Sequence, residues 1–178
     1  MDQPHVPAPQ GPRLALPAFV PDILARADRP LATILVAWLL TWGGSILLAA
    51  LIHAVSPVVE GPQFEAEGFF SMFMLVVFAP VTETLIMAAI IWLLTRFLKP
   101  MAAIVGSALI WGAAHSAMAA TWGLVIWWPF LIFSTLYLVW RQRSLGWALA
   151  MPMIVHALQN LPSALIVSFP DLIPLPAM

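Results

Sequence analysis

A glutamate, two histidines and an asparagine stand out in this chain because almost everything around them is apolar. Glu83 lies in Ala79-Pro80-Val81-Thr82-Glu83-Thr84-Leu85-Ile86-Met87, and it is the one charged residue between Gly68 and Thr95. His115 closes Trp111-Gly112-Ala113-Ala114-His115, while His156 and Asn160 bracket His156-Ala157-Leu158-Gln159-Asn160. A carboxylate beside an imidazole can hold a water molecule and take its proton. An imidazole N–H and a carboxamide NH2 can then stabilise the oxyanion that forms when this water attacks a carbonyl. His156 and Asn160 are four positions apart, so one face of a helix presents both. The four side chains amount to a set for hydrolysing a peptide bond with activated water.

Each has a plainer reading. A buried His or Asn often ties one membrane helix to the next, and a lone glutamate can sit protonated against a backbone carbonyl. Against this, a carboxylate at mid-membrane costs at least about 2.5–3.5 kcal/mol, so Glu83 is expected to have partners and a purpose. Four polar groups at one depth favour a shared site.

The surroundings are those of a membrane. Of the 178 residues, 62% are hydrophobic and 8% charged, against about 25% charged in a soluble domain. The expected architecture is all-α, a bundle of about five transmembrane helices with a cytoplasmic N-terminus. A net charge of -1 gives no reason to expect nucleic acid as a partner, and the absence of cysteine excludes disulfides, iron–sulfur clusters and thiol nucleophiles. Residues 1–29 carry Pro4, Pro7, Pro9, Pro12, Pro17 and Pro21 and are expected to form a mobile or interfacial tail. No cleaved signal peptide is expected, since no basic region precedes an early apolar run. Residues 30–170 form the transmembrane domain.

Five apolar runs supply the spans. The first covers Leu31–Ala54, with Pro30 in its first turn, and ends near His53, which reads as interfacial. An acidic loop from Glu60 to Glu67 leads to the second, Gly68–Leu98, expected as one tilted helix kinked by Pro80. The third, Met101–Ala120, is crowded with Ala, Gly and Ser, which let helices approach closely, and is expected at the centre of the bundle. Trp122–Trp140 and Leu145–Phe169 are the fourth and fifth, the last distorted by Pro152 and Pro162. With the N-terminus inside, Arg13, Arg26, Arg29, Arg96, Lys99, Arg141 and Arg143 all fall on the cytoplasmic side, and Glu60, Glu65, Glu67 and Asp171 fall outside. Measured from the nearest basic residue, Glu83 and His156 lie roughly 20 Å deep and His115 roughly 24 Å.

The order and spacing of these motifs resemble those of the CAAX prenyl endopeptidase and bacteriocin-processing (CPBP) intramembrane proteases. That family reads Glu-Glu-x-x-x-Arg, Phe-x-x-x-His and His-x-x-x-Asn on successive core helices. Here the counterparts are Glu83-Thr84-Leu85-Ile86-Met87-Ala88, Trp111-x-x-x-His115 and His156-x-x-x-Asn160, within residues 70–165. The resemblance implies an intramembrane endopeptidase in which Glu83 and His115 activate water while His156 and Asn160 form the oxyanion site. It implies no cofactor; the alternative is a divalent metal such as zinc held by Glu83, His115 and His156. The implied partners are the lipid bilayer and a membrane-embedded peptide or protein substrate, in a multi-pass protein of a bacterial plasma membrane. Two positions depart from the pattern, Thr84 for the second Glu and Ala88 for the Arg. Four apart, they are spaced for an ion pair, so losing both leaves a neutral surface. Two other readings follow from the same residues: an inactive relative acting as an immunity or scaffold protein, and a haem or metal site on His115 and His156.

Overall fold

The computed structural model describes residues 11–56 and 67–171. Prolines open two of the helices. Pro30 and Pro100 each stand in a first turn, where a missing N–H costs nothing. Ser144 opens another by accepting the Trp147 N–H on its hydroxyl at 3.1 Å. The resulting elements are α1 (Pro30–Val55), α2 (Gly68–Leu94), α3 (Pro100–Ser116), α4 (Gly123–Arg141) and α5 (Leu145–Ser168). Helices α1, α2, α4 and α5 are long and apolar enough to cross a membrane. Helix α3 has 17 residues and rises about 25 Å. The chain is an all-α membrane protein.

Helix α3 stops at Ser116, four residues before its expected end, and the chain turns through residues 117–122. Turning there brings Gly123, at the start of α4, against Gly112 and Ser116 of α3. A side chain on Gly123 would occupy the space of the Gly112 carbonyl and the Ser116 hydroxyl. Farther along the same seam Ser134 donates to Ser107 at 3.0 Å.

The bundle is organised around α4, which corrects the expectation that placed α3 at its centre. Phe130, Phe133, Leu136, Val139 and Trp140 of α4 are all buried. Among the described residues α4 packs against α1, α2, α3 and α5, whereas α3 packs against α4 and α2. Small residues allow one very close approach. A helix enclosed on all sides needs large side chains to fill the space toward each neighbour, and α4 has them. Two indoles fasten α1 into this arrangement, Trp38 donating to the Leu158 carbonyl at 3.1 Å and Trp128 to that of Leu40 at 2.8 Å.

Helix α2 runs without interruption, but its irregularity lies upstream of Pro80. Met74–Phe78 is a π-helical segment, and the Ala79 N–H bonds the Met74 carbonyl five residues back. The wider turn eases the clash that a proline ring makes with the carbonyl four residues before it.

Residues 11–29, expected as a mobile or interfacial tail, have a defined course against the end of the bundle. Leu14 N–H donates to Ala25 at 2.9 Å and Ala27 N–H to Pro12 at 3.1 Å. Leu24, Ala25 and Ala27 are buried, and the Thr33 hydroxyl of α1 donates to the Ile23 carbonyl. Asp22 accepts from both Arg13 and Arg26. Residues 1–10, with His5, and most of the acidic loop lie outside the described residues.

Candidate active site

Short connections after Leu94 and Arg141 bring the basic turns to one end, and depth can be counted from there. Glu83 stands 11 positions from Leu94, Trp111 11 from Pro100, Phe130 11 from Arg141 and His156 11 from Leu145. Four helices thus contribute one residue each to a layer roughly 16 Å in. His115 and Asn160 stand 15 positions from Pro100 and Leu145, about one turn deeper.

Within this layer Glu83 and His156 face each other, with Oε2 and Nε2 3.9 Å apart. That is longer than a direct hydrogen bond. A water molecule about 2.8 Å from both atoms would hold them at roughly 90° to one another. The Oε2 atom of Glu83 and the Nδ1 atom of His156 are buried without a hydrogen-bond partner in the protein. Buried polar atoms are nearly always paired, so these two are places where water or a substrate amide fits. The Glu83 side chain keeps 24% of its surface accessible, enough for access from outside the layer.

His115 is 8% exposed and His156 5%. Ring contacts hold both. His156 stacks on Phe133 at 4.7 Å and meets Phe130 edge-on at 5.6 Å. His115 touches Trp111, Phe130 and Trp122, the last edge-on at 4.5 Å. Its Nδ1 is 2.8 Å from the Trp111 carbonyl. A carbonyl only accepts, so Nδ1 carries the hydrogen and Nε2 is left with its lone pair. The aromatic frame was not read from the sequence. Its signal was the Phe130/Phe133 pair at helical spacing on the most aromatic span.

Asn160 sits differently from its neighbours in the motif. Its Nδ2 donates to the Leu75 carbonyl at 2.9 Å, inside the π segment of α2. One N–H of the carboxamide is thereby engaged and a second remains.

The two departures from the motif lie in packed interior. Thr84 is 1% exposed and Ala88 9%, both on the buried side of α2. Small neutral side chains fill these places, where an unpaired charge would be costly.

Among the described residues no three His, Asp or Glu side chains are grouped as ligands of one ion.

The family model of type II CAAX prenyl endopeptidase Rce1-like proteins matches residues 65–162, more than half of the chain. The matched stretch includes Glu83, His115, His156 and Asn160. No curated protein and no solved structure matches the chain.

Proposed function

The chain belongs to the type II CAAX prenyl endopeptidase Rce1-like family of CAAX-type intramembrane proteases, and on that premise we propose that it hydrolyses a peptide bond of a membrane-associated peptide with water activated by Glu83. The observation that carries this reading is the buried, unpartnered Glu83 Oε2, 3.9 Å from His156 Nε2.

Glu83 takes a proton from the water as its oxygen attacks the scissile carbonyl carbon. The carbonyl electrons move onto oxygen, and the His156 ring donates to the developing oxyanion. By family resemblance His115 assists Glu83. The remaining N–H of Asn160 suits the oxyanion role that the same resemblance assigns to it. When the tetrahedral intermediate collapses, the C–N bond breaks and the Glu83 carboxyl returns its proton to the amine. The products are a carboxylic acid and an amine, which exchange the second water proton to leave as carboxylate and ammonium, and Glu83 is again ionised.

The test compares cleaved membrane peptides between cells carrying wild type and Glu83→Gln. Glutamine keeps the shape and loses proton acceptance, so turnover is expected to fall about 10²-fold or more. A non-catalytic family member acting as a scaffold or immunity protein would keep its phenotype in Glu83→Gln. Full activity of that variant on a confirmed substrate would end the hydrolase reading.

A further inference from the structure

Leu75 loses its backbone partner twice over. In a regular α-helix its carbonyl would accept from the Ala79 N–H, but Ala79 donates to Met74 instead. In the π register that Ala79 adopts, the carbonyl of Leu75 would accept from residue 80. Residue 80 is proline and has no N–H to give. A carbonyl without a donor at this depth is costly, since neither lipid nor packed side chains can replace the bond. The missing hydrogen comes from another helix, through Asn160 Nδ2 at 2.9 Å.

We infer that Asn160 is a positioning residue for Glu83, supplying to the Leu75 carbonyl the hydrogen bond that Pro80 cannot, and so fixing the π segment that aims Glu83 at His156. An α-helix turns about 100° per residue. The residue that the π segment adds to its turn therefore sets the direction of everything beyond it relative to what precedes it. Glu83 lies just beyond, three positions past Pro80. If the π segment shifted back to the α register, α2 on one side of it would rotate against the other by about 100°. The carboxylate and the upstream helix could not then both keep their places against α5. Among the described residues α5 meets α2 through two polar side chains, His156 opposite Glu83 and Asn160 at Leu75. Only the second is a direct hydrogen bond.

The experiment is a double-mutant cycle of Asn160→Ala and Pro80→Ala in the full chain, in lipid nanodiscs. Pro80→Ala returns an N–H at the position where the π register needs one. Asn160→Ala alone is expected to speed hydrogen exchange at the amides of Ala79 and Val81–Glu83 at least about tenfold. In the Pro80→Ala background the same change should have less than about a third of that effect. Unchanged exchange in Asn160→Ala, or an equal increase in both backgrounds, would overturn the inference. This arm needs no substrate and stands whether or not the chain is a hydrolase. A second arm rests on the hydrolase reading and uses a membrane peptide cleaved by wild type. Asn160→Ala is expected to lower kcat at least about tenfold with KM within about twofold, and to lower it by less in the Pro80→Ala background, where only the oxyanion N–H is lost. An equal kcat loss in both backgrounds would mean that Asn160 acts on the oxyanion alone.

Discussion

Trp111 and Phe130 stack face to face, ring centroids 4.4 Å apart and planes 13° from parallel, and both histidines of the candidate site lean on that stack. Phe130 is the shared element: it is 2% exposed and touches the rings of Trp111, His115, Phe133 and His156. Phe130→Ala should therefore cost about 3–5 kcal/mol of stability through the cavity it leaves. It should also loosen both imidazoles, so residual activity should fall even at temperatures where the variant stays folded. Thermal unfolding in detergent, paired with turnover well below the midpoint, checks this. A destabilised variant with full turnover when folded would show that the stack supports the fold and not the site.

Gly43 and Gly44 are adjacent on α1 and should respond in opposite ways to the same change. A side chain on Gly44 would run into the Trp128 indole, whereas nothing lies within 4 Å of where one on Gly43 would project. Gly44→Ala should destabilise by about 1–3 kcal/mol, because Trp128 must shift and its bond to the Leu40 carbonyl stretches. Gly43→Ala should be neutral or stabilising by up to about 1 kcal/mol, from helix propensity alone. Equal effects in the two variants would mean that α1 does not seat against α4 at this point.

The clasp of residues 11–29 should open in acid. Hydrogen bonds from Arg26 and then Arg13 hold the Asp22 carboxyl below the usual carboxylate range, outside the membrane-spanning segments. A group whose folded pKa is depressed contributes fully above its unfolded value, about 3.9, and loses that contribution as pH falls through the folded pKa. Amide protection of Leu14 and Ala27, corrected for intrinsic exchange, should be present near about pH 6 and reduced below about pH 3. Asp22→Asn should show the reduced protection already near about pH 6. The pair is exposed to water, so the effect should be small and weaken with salt. Equal protection at both pH values would assign the clasp to its backbone bonds alone.

Topology gives a further test. Reporter fusions near Gln63 and after Asp171 should report the outside, and fusions at Lys99 and Gln142 the cytoplasm. The reason is that one orientation puts all seven Lys and Arg residues on the inner side. The Arg96 and Arg143 guanidinium groups lie over Trp92 and Trp147 at 4.0 and 4.8 Å, an arrangement suited to a membrane interface. A cytoplasmic signal at Gln63 would overturn the orientation.

What the sequence determined by itself was periodic and local. The spans follow from runs of apolar residues between charged turns, and Pro30 and Pro100 stand where two of the helices begin. The shared depth of Glu83 and His156 follows from a constant helical rise counted from fixed ends, which needs no knowledge of how the helices meet. The motif order was likewise legible, since it depends on residue types and intervals alone. Tertiary structure decided what depends on which faces touch. It made α4 the hub, because filling space on four sides takes large side chains, while the small residues of α3 serve a single close seam. It ended α3 at Ser116, where no residue type demands an end, because Gly123 had to reach Gly112. Pro80 announced a distortion, but not that a π turn upstream would absorb it. Nor could the chain alone reveal that the orphaned Leu75 carbonyl would find its hydrogen on Asn160, 85 residues away. That partner is set by packing: the backbone demands a donor there, and the neighbouring helix happens to present one at the right height.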